Sequence, residues 1–262
     1  ARQLSFKILI NSFYGYLGFS AARFGDSELA AEVTRMGREL LQALIEEFSQ
    51  QGATILEADT DGIYLSSEEY FESPQNLLGA AAKILPDGID LEYDGKFQAM
   101  FCYKAKNYAL YDGTKITLKG SALRSRGIEP YLRRLSDSLI SDLLGAGGES
   151  PTELVLHYRE SIENYTASIT ELAKTESLNQ NPETYERFVA GGGKPRRATG
   201  EVALKMDPRP RTGDRISYYI QPREKGQTSD WQRARPLADF DLQTAPYDPK
   251  YYLKKLEDLA KR

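Results

Sequence analysis

A chain of 262 residues with 40% hydrophobic content can bury a core, and its length favours two domains over one. No apolar run nears the ~18 residues that a bilayer span needs, and no secretory signal opens the chain, which starts inside an apparent helix as a sequence beginning mid-protein would. One cysteine (Cys102) leaves no internal disulfide and fits a reducing compartment; one histidine (His157) argues against zinc or triad chemistry; the net charge of −4 argues, at first sight, against a nucleic-acid partner.

The first predicted element covers residues 3–18. At 100° per residue, Lys7, Asn11, Tyr14 and Gly18 fall within about 60° of one another, while Leu9, Phe13, Tyr16 and Leu17 lie opposite and are expected to pack on the body of the protein. A cation, an amide, a phenol and a bare glycine on one face can hold an anionic ligand whose flat part meets the ring, and an ordinary amphipathic helix fits the same pattern. Asp26 is placed to cap a second helix, with Glu28 in its first turn. Its apolar stripe, Leu29, Val33, Met36, Leu40, Leu44 and Phe48, reads as core.

Residues 53–67, ATILEADTDGIYLSS, read as a β-hairpin with the acidic tip Asp59-Thr60-Asp61-Gly62. Two carboxylates within three residues repel unless water or a cation relieves them, which makes the tip a candidate Mg²⁺ site with oxygen ligands. An exposed acidic turn is the competing reading. An EF-hand is excluded, because Ile63 and Tyr64 stand where that loop needs an oxygen ligand and a glycine.

Further on, residues 73–85 predict a short helix, Pro86-Asp87-Gly88 a turn, and Leu91 to Tyr111 and Thr114 to Leu118 strands. A sheet of antiparallel strands with two helices on one face is the simplest packing of these pieces. The composition changes at Gly127. Leu132, Leu135, Leu139 and Leu143 mark a helix that stops at Gly145 to Gly148, and Ser150-Pro151-Thr152-Glu153 is a capping box that starts another. Asn181-Pro182 and Asp248-Pro249 start two more, and between them Gly191 to Arg235 is rich in Gly, Pro and Arg, with one strand at Ile216 to Ile220. The fold class is α+β: an antiparallel sheet backed by helices, then a mainly helical domain.

The net charge hides an asymmetry. Sixteen Asp/Glu face three Lys/Arg from Asp26 to Asp94, eight Lys/Arg face two acids from Lys104 to Arg134, and nine face four from Lys194 to Lys225. An acidic centre followed by two basic stretches suits a cation site beside a polyanion track.

In this order the pieces resemble the C-terminal half of a family B DNA polymerase. Lys7-Ile-Leu-Ile-Asn11-Ser12-Phe-Tyr14-Gly15 is similar to the family's K-x-x-x-N-S-x-Y-G motif on the fingers helix, and Asp59-Thr60-Asp61 to its D-T-D palm motif. Lys104-Ala-Lys106-Asn-Tyr108-Ala resembles the lysine-rich strand, and Lys119-Gly120 with Arg124 and Arg126 the K-G…R-R segment that closes the palm. Thr170 to Leu178, Lys194-Pro195, Gly213 to Tyr218 and Asp248 to Tyr252 follow the order of the thumb. The sequence departs from the pattern at Ala58 and Gly62, which flank the aspartates where glycine and serine are usual, and at Ala105 and Asn107, which thin the lysine run. The D-x-x-S-L-Y-P-S segment and the exonuclease domain are absent.

The resemblance implies a fingers helix (1–25), a palm (26–128) and a thumb (129–262). It implies Asp61 as the main Mg²⁺ ligand from this chain with Asp59 adjacent, Lys7 on the triphosphate of an incoming dNTP, Asn11 supporting the pocket, and Tyr14 beneath the nascent base pair, where Gly15 allows close approach. Lys106 and Tyr108 would meet primer-template DNA near the 3′ end; Lys119, Gly120, Arg124 and Arg126 would track phosphates; Lys174, Lys194, Arg196 and Arg197 would grip the duplex. The implied reaction is attack of a primer 3′-oxygen on the α-phosphate between two metals about 4 Å apart, in a cytoplasmic, nucleoid-associated enzyme completed by an N-terminal remainder that carries the other carboxylates. A small subunit of a split polymerase and a non-catalytic duplex-binding module are the alternatives; a reverse transcriptase, expected to carry adjacent aspartates, fits worse.

Overall fold

The computed structural model describes residues 2–59, 62–123 and 127–261, with side chains from residue 4 onward. It divides into two compact units, Ala1–Lys96 and Phe97–Arg262.

In the first unit, helix α1 (Arg2–Leu17) is followed by α2 (Ser27–Gln50), the hairpin strands β1 (Thr54–Asp59) and β2 (Gly62–Ser66), and α3 (Pro74–Ala81). Asp26 caps α2 as its position predicts, its carboxylate accepting from the Leu29 amide at 2.9 Å. Leu44 and Phe48 of α2, Ala53, and Leu77 and Ala81 of α3 form the core, with Ile55, Ile63 and Leu65 of the hairpin packed against it. Only the C-terminal half of the α2 stripe is core, because Leu29, Val33 and Met36 are half exposed. The expectation for α1 fails further: Leu9 and Phe13 are 62% and 66% exposed instead of packed. Apolar periodicity marks a face that needs cover without saying which part of a protein supplies it.

In the second unit, β3 (Ala99–Lys104), β4 (Asn107–Tyr111) and β5 (Ile116–Lys119) form an antiparallel sheet in that order. The face carrying Phe101, Ala109 and Leu118 packs on Ile140 and Leu144 at the end of α4 (Pro130–Leu143). Helices α5 (Pro151–Glu163), α6 (Ile169–Leu172), α7 (Pro182–Ala190), α8 (Ala198–Ala203), α9 (Asp230–Arg233) and α10 (Pro249–Ala260) surround a second antiparallel sheet of β6 (Lys174–Ser177), β7 (Arg215–Ile220) and β8 (Ala234–Pro236). The starts predicted at Ser150, Asn181 and Asp248 hold, each with proline in the first turn.

The core of this unit is rich in tyrosine, including Tyr131, Tyr158, Tyr219, Tyr247 and Tyr252. Burying a phenol requires a partner for its hydroxyl. Tyr131 donates to the Tyr252 carbonyl at 2.9 Å, Tyr247 to the Ile162 carbonyl at 3.1 Å, and the Tyr252 hydroxyl accepts from the Ile220 amide at 2.9 Å. The architecture is α+β, and among the described residues the strands form three small sheets instead of one continuous sheet. Among the described residues no helix is long and apolar enough to cross a membrane.

Candidate nucleotide and nucleic-acid site

The two strands of the hairpin pair across a register shift. Ile55 pairs with Leu65, but Glu57 pairs with Tyr64, Ala58 with Ile63 and Asp59 with Gly62, so one extra residue is accommodated between Ile55 and Glu57. Ile55, Ile63 and Leu65 turn toward the core. Along β1 the exposure still alternates, with Ile55, Glu57 and Asp59 half-buried and Thr54, Leu56 and Ala58 exposed. Thr60 and Asp61 lie outside the described residues, as do Arg124 and Arg126. Carboxylate oxygens such as those of Glu57 and Asp59 suit a hard cation, and among the described residues no group of three or more His, Cys, Asp or Glu side chains is placed to hold one.

Along α1, Lys7, Asn11 and Tyr14 recur at four- and three-residue spacing and all are exposed, Tyr14 by 43%. A Cβ added to Gly15 would meet nothing within 4 Å, so no packing inside this chain requires that glycine.

In the second unit the two lysine motifs are knitted together. The β3–β4 turn holds Lys106 at φ +63°, a left-handed conformation that costs a side-chain-bearing residue about 1 kcal/mol. Asn107 closes the turn, its amide donating to the Ala105 carbonyl and its Oδ1 accepting from the Ala122 amide at 2.8 Å. Gly120 lies flat on this turn, since a Cβ there would stand 2.2 Å from the Lys106 carbonyl oxygen. Tyr108 pairs with Lys119 across the sheet, which puts the two side chains on one face. Tyr108 itself is buried, 9% exposed, while Lys106 and Lys119 reach the surface.

The four cations assigned to duplex gripping fall into two kinds. Lys174 pairs with Glu176 at 3.1 Å, and that carboxylate also accepts from Tyr218 at 2.6 Å. Arg196 is turned inward. Its Nε and Nη2 meet the two oxygens of buried Glu201 at 2.7 and 3.1 Å, and its guanidinium lies 4.2 Å from the Trp231 ring centre. Lys194 and Arg197 are exposed, and neither side chain has a charged partner among the described residues. Tyr185 joins the same cluster, donating to Glu201 at 2.9 Å and accepting from the Arg197 amide at 3.0 Å; burial, ahead of the neighbouring carboxylate, raises the phenol above its ordinary pKa. Sequence reasoning missed Tyr185, Phe188, Glu201 and Trp231. The aromatic pair three residues apart before the Gly191–Gly193 run was the available signal.

The architecture is that of a known class. The fold aligns with the structure of the family B DNA polymerase from the archaeon Pyrobaculum calidifontis at a TM-score of 0.70 and 22% identity, over 99% of this chain and 33% of that one. The sequence profile of DNA polymerase family B matches residues 1–262, and the chain belongs to that family. Relatives include the DNA polymerases of Thermococcus sp. (strain 9oN-7), 30% identical, and Thermococcus gorgonarius, 29% identical, each over 97% of this chain. The DNA polymerase alpha catalytic subunit of Trypanosoma brucei brucei is 31% identical over 84% of the chain. The chain spans about a third of the length of the archaeal relatives.

Proposed function

We propose that this chain is the fingers helix (1–25), palm (26–128) and thumb (129–262) of a DNA polymerase, which adds nucleotides from dNTPs to a primer 3′-hydroxyl and needs the remainder of the enzyme for activity. The observation that carries the proposal is the hairpin β1–β2 with its D-T-D tip. Asp59 pairs with Gly62 at the end of that hairpin, in a chain of family B. A bound Mg²⁺ pair would polarise the α-phosphate and ease loss of the primer hydroxyl proton. Asp61 and Asp59 would be this chain's ligands to it, with further carboxylates supplied from outside the chain.

The chain's own residues do the rest. Lys7 sits one helical turn from Asn11 and two from Tyr14, so an ammonium can take the triphosphate of a dNTP while the amide and ring border its base. The open space beside Gly15 lets the nascent pair approach the helix backbone. Lys106 and Lys119, exposed at one end of the three-stranded sheet, meet primer-template phosphates. The requirement for the remainder is supported by α1 itself. Leu4, Phe6, Ile8, Leu9, Ile10 and Phe13 are each 58% or more exposed, far more large apolar side chain than one helix leaves in water without a partner segment to cover it.

The test is reconstitution. The chain is mixed with a separately expressed polypeptide carrying the missing N-terminal two-thirds, and extension of a labelled primer is followed. We expect synthesis that disappears with Asp61→Ala. Tight association without synthesis would sink the proposal and favour a duplex-binding module, whose DNA affinity would not depend on Asp61.

A further inference from the structure

The loop between α7 and α8 carries three cations in four residues, and the structure separates them. Arg196 is held by two hydrogen bonds to Glu201, itself buried, and is stacked on Trp231. Tyr185 ties the next residue's amide to the same carboxylate. The loop and the helix that follows it are pressed onto two aromatic rings: a Cβ at Gly193 in the loop would stand 2.5 Å from the Phe188 ring, and one at Gly200 in α8 would stand 2.5 Å from that of Tyr185. With Arg196 drawn in, Lys194 and Arg197 are left on the rim of a cavity of about 390 Å³. Phe188, Asn179, Gln180 and Thr199 also line it, and Phe188 is 41% exposed.

We infer that this cavity binds one nucleotide unit of a DNA strand. Its phosphate lies between Lys194 and Arg197, its base against Phe188, and Arg196 is a positioning residue that contacts no DNA. The volume is that of a small-molecule site, larger than a lone phosphate needs, and the lining combines what a nucleotide asks for: cations, amides that can meet a base edge, and an accessible ring. Glu201 takes the Nε–Nη2 edge of the Arg196 guanidinium and Trp231 one of its faces, which fixes its direction inward, while Lys194 and Arg197 keep all their donors for a phosphate. This rests on the polymerase reading above and deepens it. It is tested without synthesis, so the two can fail separately.

The full chain is titrated against a labelled single-stranded oligonucleotide and a labelled blunt duplex, across a series of salt concentrations. Lys194→Ala and Arg197→Ala should each weaken binding and lower the slope of log K against log salt by about one. Phe188→Ala should weaken binding roughly tenfold at unchanged slope, the size of one lost base stack. The oligonucleotide that shows the Phe188 effect identifies whether the nucleotide comes from a single strand or a duplex. Arg196→Lys and Glu201→Gln should both weaken binding with the slope intact, and both should shift the emission of Trp231, the only tryptophan. Three results would overturn the inference: no binding of either oligonucleotide by the parent chain, no effect of Phe188→Ala on either, or an Arg196→Ala slope loss equal to that of Arg197→Ala while Glu201→Gln changes nothing.

Discussion

A methyl group on Gly120 would stand 2.2 Å from the Lys106 carbonyl oxygen and 2.3 Å from Asn107 Oδ1, at a residue whose φ is +84°. The steric clash and the left-handed backbone add, so Gly120→Ala should destabilise the second unit by roughly 2–4 kcal/mol in denaturant unfolding. A variant as stable as its parent would mean that Lys119-Gly120 is not seated on the β3–β4 turn. Gly15 behaves oppositely. Nothing lies within 4 Å of its missing Cβ, and Gly15→Ala should stabilise α1 by up to about 1 kcal/mol through helix propensity. The same change should slow synthesis in the reconstituted enzyme, where the space is filled by the substrate; unchanged primer extension would remove Gly15 from the nucleotide pocket. Tyr14→Ala should raise the misincorporation rate more than it weakens duplex binding, and equal error rates would count against its place under the nascent pair. Both glycines were legible in the sequence as motif positions. Their different reasons for being glycine were not, because one is set by a neighbour brought in by the sheet and the other by nothing in this chain.

Helix α1 carries its apolar side chains into solvent, and Phe6, Ile10 and Phe13, at about one angular position, are 62%, 66% and 66% exposed. Replacing all three by serine removes no contact with the core clusters of this chain, so the thermal midpoint of the isolated chain should move by no more than ordinary surface changes do, ~0.5 kcal/mol each. Capture of the N-terminal polypeptide in a pull-down should fall sharply. A large loss of stability in the isolated chain would show that α1 packs here in solution; unchanged capture would place the docking surface elsewhere. The helix itself was legible from its period, as were α2, its Asp26 cap, and the three proline-led starts at Pro151, Pro182 and Pro249. What those faces pack against was not, and Leu9 and Phe13, expected to pack on the body of the protein, are exposed in this chain for that reason. The hairpin strands were legible too, but not the register shift between Ile55 and Glu57, because alternation along β1 reads the same with or without one extra residue. Strands β6 and β8 and helix α8 are too short to show a period, and they form because the tyrosine-rich core around them supplies long-range packing.

At the scale of the whole chain, the second unit differs from the first in what its core is made of. Eight of its tyrosines, Tyr131, Tyr158, Tyr185, Tyr218, Tyr219, Tyr247, Tyr251 and Tyr252, have phenol pKa values raised above the ordinary 10.0, with burial as the first cause in each case. For Tyr247 the value is pushed up to about 12. A raised folded-state pKa contributes stability that is fully present below the unfolded value and is lost as pH climbs toward the folded one. The unfolded chain releases phenolic protons from about pH 10.0 upward while the folded core still holds them, so unfolding is favoured progressively through that range. Lys205 acts in the other direction. Burial first, and then Arg235, lower its ammonium pKa below the ordinary 10.5, so the folded state gains as pH rises through that lowered value; this is one group against eight. The net expectation is an alkaline decline specific to the second unit. Trp231 reports on that unit alone, so urea unfolding followed by its fluorescence, from neutral pH to above 10, should show a midpoint that holds and then falls steeply once phenols begin to ionise in the unfolded chain. A midpoint that does not move through pH 10 would mean that these phenols are hydrated in the native protein, and that the tyrosine core described above is more open to water than its burial implies.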